Sequence, residues 1–532
     1  MTPPTPDLDT IVIARRIHVL GERAPVEALL VRGGRVAAIG TRAEVEALAL
    51  PRARVEWLDE AFVTPGLTDA HVHLTTWALA RRRVDLNAAR TVEDGLAAVA
   101  AAARAGEGWV RGLGWDQHRW GRLPTRAELD RVSPDRPAFL QSHDIHAAWV
   151  NSAALGRCGI TRDTPDPPGG QIVRDADGEP AGVLLEKAVA LVERHLPSES
   201  LAERRDALLD AQAELHALGL TGVHSVEVNG LEDFSALAEE DRLRLRVLQA
   251  IQRPRLQAAI DLGLRSGFGG GWMRIGGLKM FLDGALGSRT AWMRAPYEGG
   301  ADGDVGINTL PPDEFRETVR RAAEAGIAST VHAIGDAAVS LALDVLSAVA
   351  PPATMPHRIE HVQLCPPELW EAAGRSGVVG SMQPVHLVTD IPAAERHWGH
   401  ERSRGAYAFA PLLRAGMTLA FGSDTPVETV DPRLGLFAAT KRVGWDGAPA
   451  GEWHPENRLT AEQALRAYTE GPARAAGEAH RRGRLLPGYD ADLAAWDRDP
   501  LAASPDEVRE MRCLLTMVAG EVVHRAEQDA SG

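Results

Sequence analysis

The chain has 532 residues, of which 45% are hydrophobic and 25% are charged, so it has an ordinary globular composition and can bury a large core. Its formal net charge of -15 argues against nucleic acids and anionic membranes as partners, because both bind through a basic surface. We expect a reduced, cytoplasmic protein, because there is no membrane-length apolar run, no secretory signal pattern and no disulfide framework among three scattered cysteines.

Both ends of the sequence consist of short apolar segments that are typical of β-strands. Such segments lie at 10–14, 28–31, 35–40, 491–496, 513–518 and 521–524. Gly33-Gly34 has the chemistry of a two-residue hairpin turn. Neither end has enough strand for a stable sheet of its own, so we predict that residues 1–62 and 483–532 form one composite β-sandwich domain.

Residues 63–482 alternate strand-like apolar runs with helical patterns, which is typical of βα units around a parallel sheet. Eight candidate strands end near His73, His143, Ser225, Lys279, His332, His361, Gln383 and Asp424. Eight parallel strands close a (β/α)8 barrel, so the predicted fold class is an α/β TIM barrel with the β-sandwich attached. Long gaps predict insertions around 75–138 and 150–220, on the side of the barrel that usually builds the substrate pocket.

The end of the first barrel strand carries two histidines, His71 and His73, in the run TPGLTDAHVH. On a β-strand both side chains point to the same face, and histidine is the commonest side-chain metal ligand. The pair alone is weak evidence. His332, His361 and Asp424 end other predicted strands, and the strand ends of such a barrel converge on one mouth.

Several longer segments point to one family. They are Pro65-Gly66-Leu67, Gly114-Trp115-Asp116, 142–152 (SHDIHAAWVNS), 182–186 (GVLLE), 279–291 (KMFLDGALGSRTA) and 488–493 (GYDADL). Together they resemble the metal-dependent amidohydrolase superfamily, in particular its YtcJ-like (amidohydrolase 3) branch, which includes N-substituted formamide deformylases. The resemblance covers nearly the whole chain and implies a (β/α)8 barrel with an attached β-sandwich.

The resemblance also implies two divalent metal ions, with zinc as the first choice and manganese, iron, cobalt or nickel as alternatives. The implied ligands are His71, His73 and Asp424 for the more buried ion, and His332 and His361 for the second. Lys279 would carry a CO2-derived carbamate that bridges both ions. An ammonium has no lone pair and would repel two dications, which supports the modification. Alternatively, Lys279 remains an amine, binds a substrate anion and leaves a single metal.

Two metal ions that share a water lower its pKa from about 15.7 towards neutrality, so that it attacks a polarised carbonyl. The resemblance makes Asp424 the catalytic base, which takes the proton of this water and delivers it to the leaving nitrogen. The alternative for Asp424 is a helix N-cap, because Thr425-Pro426 follows it.

Weaker candidates for substrate contact are Trp115, His143, Asp283, Arg289 and Gln383. His143 could instead bond a loop carbonyl, and Arg289 could pair with Asp283 rather than bind a substrate carboxylate. Gln383 could donate to the substrate carbonyl. Trp115 is one of several tryptophans whose first use is to bury area.

The leading functional hypothesis is hydrolysis of a non-peptide C–N bond in a small molecule, such as an N-acyl or N-formyl amide or a cyclic amide. An ester, lactone or carbamate hydrolase on the same site is an alternative, because activated water attacks any such carbonyl. A catalytically silent scaffold is the third, although no implied ligand is missing. Resemblance alone points to a homodimer.

Overall fold

The computed structural model describes residues 9–20, 26–106, 108–142, 147–445, 447–449 and 451–527. The chain divides into two units, Met1–Thr75 with Leu208–Gly532, and Thr76–Ala207. Among the described residues, no helix has both the length and the apolar character needed to cross a membrane.

The strands, in chain order, are β1 (Thr10–Ile17), β2 (Val26–Arg32), β3 (Arg35–Gly40), β4 (Arg54–Pro65), β5 (Leu67–Val72), β6 (Val84–Asp85), β7 (Val110–Trp115), β8 (Ala138–Ser142), β9 (Ala147–Val150), β10 (Gly170–Arg174), β11 (Pro180–Glu186), β12 (Leu220–Ser225), β13 (Arg246–Gln252), β14 (Gly269–Gly270), β15 (Met273–Phe281), β16 (Ser329–Ala333), β17 (Arg358–His361), β18 (Val379–Met382), β19 (Thr418–Phe421), β20 (Leu493–Trp496), β21 (Cys513–Val518) and β22 (Glu521–Arg525).

The α-helices are α1 (Arg42–Leu48), α2 (Leu74–Arg81), α3 (Val92–Ala105), α4 (Gln117–Trp120), α5 (Arg126–Val132), α6 (Ser152–Cys158), α7 (Ala190–Glu193), α8 (Leu201–Ala217), α9 (Gly230–Glu239), α10 (Leu256–Asp261), α11 (Pro312–Glu324), α12 (Asp336–Ala348), α13 (Trp370–Arg375), α14 (Pro384–His397), α15 (His400–Ser403), α16 (Phe409–Ala415), α17 (Pro432–Lys441), α18 (Ala461–Tyr468), α19 (Glu470–Ala475) and α20 (Pro505–Glu510). Short 3₁₀ helices lie at Arg253–Arg255, Pro367–Leu369 and Pro455–Asn457.

Both chain ends contribute strands to one mixed sheet, with the order β22-β21-β20-β4-β1-β2-β3. The link between the two ends is the antiparallel pair of β20 with β4. Apolar residues from both ends, such as Val12, Leu29 and Leu515, pack into a single core. Gly33 and Gly34 form the predicted turn between β2 and β3, with φ values of 57° and 74° that suit a type I′ hairpin.

Eight parallel strands form the barrel, in the order β19-β18-β17-β16-β15-β13-β12-β5. Helices follow most of them, which is the pattern that the alternating sequence predicts. The two end strands of this path meet where the backbone N–H of Asp424 donates to the carbonyl of His71 at 2.8 Å, so the barrel is nearly closed. The predicted fold class is therefore confirmed, while the domain boundaries at residues 62 and 483 stay a prediction.

One predicted barrel strand is wrong. The strand that ends before His143 is β8, which belongs to another sheet with the order β10-β11-β9-β8-β7-β6. The third barrel strand is β13 instead. Its short apolar run is interrupted by Gln249 and ends without a ligand-type residue, so it gave no signal. Local pattern identifies a strand but does not determine which sheet it joins, because pairing is a long-range contact.

The unit Thr76–Ala207 contains this second sheet and its own apolar cores. The predicted insertions at 75–138 and 150–220 are thus not separated by a barrel strand. Trp115, Trp120 and Trp149 pack together, with ring centroids 6.0 Å and 5.8 Å apart along the series. The indole N–H of Trp115 donates to the carbonyl of Leu140 at 2.8 Å, so within this unit Trp115 is a buried core residue.

Candidate metal centre

Three polar side chains meet where the first and last barrel strands end. His71 Nε2 lies 3.3 Å and His73 Nε2 lies 3.5 Å from Oδ1 of Asp424. The three possible ligand atoms lie within 4.8 Å of one another. Nitrogen, nitrogen and oxygen donors at this spacing can bind one divalent ion.

Three further predicted residues lie on the neighbouring strands β15, β16 and β17. The ring centroid of His361 is 5.0 Å from that of His71 and 4.5 Å from that of His332. Lys279 is buried, with Nζ 4.7 Å from the ring centroid of Phe281. The ends of adjacent strands therefore bring all the candidate ligands of the barrel into one region.

Two of these residues have strained backbone. His361 has φ of 74° and Asp424 has φ of 60°, both in the left-handed region that side-chain-bearing residues rarely adopt. Such a conformation costs about 1–3 kcal/mol and clusters at functional sites. Gly422 allows the close approach of the strands here, because a Cβ would lie 2.5 Å from the backbone nitrogen of His71.

The orientation of His71 is set by a buried polar column inside the barrel. Its Nδ1–H donates to Oε2 of Glu360 at 2.5 Å, which leaves Nε2, 3.3 Å from Oδ1 of Asp424, as the nitrogen that can bind a metal once its proton is released. Oε1 of Glu360 lies 2.6 Å from Nε of Arg358, whose Nη1 donates to Nδ1 of His224 at 2.8 Å. These supporting residues therefore select the His71 tautomer that can bind a metal.

His361 and His332 are each held through one ring nitrogen. Nδ1 of His361 donates to Oε1 of Gln383 at 2.8 Å, so Nε2 is left for a ligand. Nε2 of His332 donates to the carbonyl of Gly284 at 2.9 Å, so Nδ1 is left. Gln383 thus faces a candidate ligand and fixes its ring.

Burial determines the charge of the site. It lowers the pKa of His332 to about 3, helped by nearby Lys279, and it holds the pKa of His361 well below its usual range. Burial acts to raise the pKa of Asp424, but His71 and the other imidazoles outweigh it and hold that pKa well below the usual range. The site therefore offers uncharged imidazoles and an ionised carboxylate, as metal binding requires.

His71 and Lys279 are the two exceptions to this simple pattern. Burial and Lys279 act to lower the pKa of His71, but the carboxylates of Glu360 and Asp424 outweigh them and raise it, so metal binding there releases a proton. Burial lowers the pKa of Lys279 to about 8, against the pull of Glu360 and Asp424. At neutral pH the uncharged amine is therefore a larger fraction of Lys279 than of a lysine with the ordinary pKa of 10.5.

Comparison with known proteins identifies the family of this chain. The amidohydrolase 3 profile (amidohydrolase family) matches residues 58–524. The chain belongs to the amidohydrolase family. It is 32% identical to YtcJ of Bacillus subtilis (strain 168) over 478 residues, which are 88% of this chain and 90% of YtcJ. It is 30% identical to N-substituted formamide deformylase of Arthrobacter pascens over 545 residues, with 96% of this chain and 97% of that protein covered.

A solved structure of similar fold also comes from this comparison. The crystal structure of an uncharacterized metal-dependent hydrolase from Pyrococcus horikoshii OT3 has a TM-score of 0.79 and 28% sequence identity, and the match covers 94% of this chain and 99% of that one. This similarity of fold agrees with the family assignment.

Two other predicted substrate contacts of the amidohydrolase, Asp283 and Arg289, already have partners in the segments that follow β15 and β16. Oδ1 of Asp283 also lies 3.4 Å from Nε2 of the candidate ligand His332. Asp283 accepts backbone N–H groups from Trp292 at 2.9 Å and Gly335 at 2.8 Å, and burial raises its pKa to about 7 although these bonds lower it. The predicted pairing of Arg289 with Asp283 is wrong: Arg289 forms an ion pair with Asp304. The carboxylate of Asp283 already accepts hydrogen bonds from backbone donors. Arg289 pairs instead with Asp304, which lies in the segment between β15 and α11.

For the remaining two predicted contacts, a role in substrate binding stays a prediction. His143 lies outside the described residues. Trp115 lies in the core of the unit Thr76–Ala207, as described above.

One residue at the metal centre was not predicted from the sequence. His386, in the first turn of α14, has Nε2 3.9 Å from Oδ2 of Asp424, and it forms a second possible ligand group with His361 and Asp424. The candidate ligands predicted from the sequence all lie near strand ends, whereas His386 comes from a helix. The segment Gln383-Pro384-Val385-His386, directly after β18, was the available signal.

Proposed function

We propose that this amidohydrolase hydrolyses a non-peptide C–N bond in a small amide-type molecule, with an N-formyl or N-acyl amide as the substrate class. The observation that carries the proposal is the position of Asp424, an ionised carboxylate in reach of His71 and His73 at the mouth of the barrel. The similarity to N-substituted formamide deformylase over nearly the whole chain supports the substrate class.

The residues fit a metal site, and their chemistry defines the roles. His71, His73 and Asp424 would hold one ion, and His332 and His361 a second, with zinc as the first choice. A divalent metal supplies Lewis acidity, which lowers the pKa of water from about 15.7 towards 7 and polarises a carbonyl.

Asp424 then performs the proton transfers. Its carboxylate takes one proton from the attacking water as the water oxygen bonds to the carbonyl carbon. The same proton passes to the leaving nitrogen as the C–N bond breaks. The products are a carboxylic acid, formic acid for a formamide, and the free amine, so atoms and charges balance.

Lys279 would supply the bridge between the two ions as a carbamate. Its lowered pKa favours the uncharged amine, which attacks CO2 to form a new N–C bond and releases one proton. The product would have two oxygens that share one negative charge, where an ammonium would repel both ions. Without this step Lys279 remains an amine and one ion is expected.

The test begins with metal content, measured by elemental analysis on protein purified without chelators or a metal-binding tag. Near two ions per chain supports the bridged site, and about one ion overturns the carbamate on Lys279 but not the hydrolase. No ion, with no recovery on addition of zinc and bicarbonate, overturns the mechanism.

Activity is then measured on N-formyl amines, N-acyl amino acids, cyclic imides and lactones. Release of formate or amine from the amide substrates supports the proposed function. Turnover of lactones alone would overturn the C–N specificity. The Asp424→Asn variant is the control, since it keeps the shape of the side chain and removes the base.

A further inference from the structure

His386 is a buried polar residue whose ring nitrogen Nε2 has no hydrogen-bond partner among the described residues. Its relative exposure is 7%, and Nε2 forms no hydrogen bond within the described part of the chain. Buried donors and acceptors are nearly always satisfied in folded proteins, so an unpaired one at a candidate active site points to a bound molecule.

The contact of the other ring nitrogen determines where the proton lies. Nδ1 of His386 faces Nε2 of the Gln363 side chain at 3.4 Å. An amide nitrogen can only donate, so Nδ1 is the acceptor and the ring proton lies on Nε2. His386 therefore presents an N–H donor to the centre of the site.

The distance to Asp424 identifies what this donor binds. Nε2 of His386 lies 3.9 Å from Oδ2 of Asp424, which is too long for a direct hydrogen bond. It is short enough for one oxygen atom to lie within hydrogen-bond distance of both. A substrate carbonyl oxygen would be repelled by the ionised carboxylate, whereas a water molecule can donate to it.

We propose that His386 holds the attacking water against Asp424. The His386 Nε2–H donates to the water oxygen, and one O–H of that water donates to Oδ2 of Asp424. This orients the proton that Asp424 removes, so the inference rests on the proposed function. His361 does not compete for this role. Its ring proton lies on Nδ1, which donates to Gln383, so its Nε2 has a lone pair and cannot donate to the water.

The first test is structural and needs no substrate. Crystal structures of the zinc-loaded wild type and of His386→Leu are compared, together with their metal content. The wild type is expected to hold a water oxygen about 2.6–3.2 Å from both Nε2 of His386 and Oδ2 of Asp424, and the variant is expected to lack it with equal zinc content.

Two results would overturn the inference. A zinc ion about 2.0–2.1 Å from Nε2, with metal loss in His386→Leu, would make His386 a ligand in the group it forms with His361 and Asp424. An empty gap in the loaded wild type would remove the water. Neither result depends on the amide substrates, so failure here is distinct from failure of the proposed function.

The second test is kinetic and uses any substrate from the panel that is turned over. His386→Leu is expected to lower kcat about 100-fold with little change in KM, because the lost contact acts on the attacking water. His386→Gln retains an N–H donor and is expected to recover most of that loss. Equal losses in both variants, or a loss carried by KM, would contradict the proposal. His400→Leu, an exposed histidine on α15, is the matched control.

Discussion

The two ends of the barrel use buried polar residues in opposite ways. At the ends of the strands lie the candidate ligands, with uncharged imidazoles, strained backbone at His361 and Asp424, and the unpaired donor of His386. At the starts of the strands lies a second group, which we call the base cluster. Its members are Arg246, Arg274, Glu478, Arg482, Asp490 and Asp492.

Every member of the base cluster takes part in an ion pair. Arg246 bonds Asp492 at 3.2 Å, while Glu478 lies 3.0 Å from Arg274 and 2.7 Å from Arg482. Charges that satisfy one another contribute to the fold and leave nothing for a ligand. Polar atoms without a partner at the mouth of the barrel lower the stability of the fold, but they remain available to bind a ligand.

The largest effect that tests this contrast is at the mouth. Asp424→Asn is expected to lower kcat/KM by about 10³-fold or more, because it removes the base and weakens a ligand. The variant is expected to keep its fold, as measured by circular dichroism and thermal unfolding. Activity within tenfold of the wild type would assign the base to another residue.

The matching change at the other end is Glu478→Gln in the base cluster. It leaves Arg274 and Arg482 with an incomplete partner, so the free energy of unfolding is expected to fall by about 3 kcal/mol. Metal content and kcat of the folded fraction are expected to stay unchanged. Urea unfolding measures the first, and a loss of metal would show that the two ends are coupled.

The polar column that supports His71, formed by Glu360, Arg358 and His224, is expected to contribute to metal binding rather than only to stability. Glu360→Gln removes the charge that orients His71 and is expected to weaken zinc binding about 10–100-fold. Competition with a chelator measures the affinity. Glu314→Gln on α11, whose carboxylate is exposed, is the control. Unchanged affinity in Glu360→Gln would leave the column as packing alone.

The smallest expected effect is on the pH dependence of the free energy of unfolding. In the metal-free protein, the two ends of the barrel are expected to lose their contributions over different pH ranges. Burial lowers the pKa of His332 to about 3 from 6.5, so below pH 6.5 the unfolded chain binds a proton that the folded chain does not. The stability from this group is complete above pH 6.5 and falls as the pH is lowered, by about 2 kcal/mol between pH 7 and pH 5.

The base cluster loses its contribution only at lower pH. Burial acts to raise the pKa of Asp490, but Arg481, Arg246 and Arg482 outweigh it and lower that pKa below 3.8, so its share is lost as pH falls below that value. Urea unfolding from pH 7 to pH 3 measures both windows. His332→Gln is expected to reduce the loss of stability in the upper window, to which His361 also contributes, and an unaltered profile would contradict the assignment.

Several features of this protein follow from the sequence itself. Alternating apolar runs determine that the middle forms βα units, and short apolar segments predict strands that the two ends contribute to one mixed sheet. His71, Lys279, His332 and His361 lie within barrel strands, and Asp424 lies just after one, as the pattern predicts. These are local properties, because strand periodicity and turn chemistry act over a few residues. The role of these five residues as metal ligands stays a prediction.

Other features were decided only by tertiary structure. The sheet that β8 joins, the partner of Arg289, the column through Glu360 and the approach of His386 to Asp424 all depend on contacts between distant segments. Arg358 and Glu360 alternate along β17, and such buried charges in a strand were the only local sign of the column. The physical reason is that burial and pairing depend on which neighbours a side chain meets, and the folded chain alone specifies those neighbours.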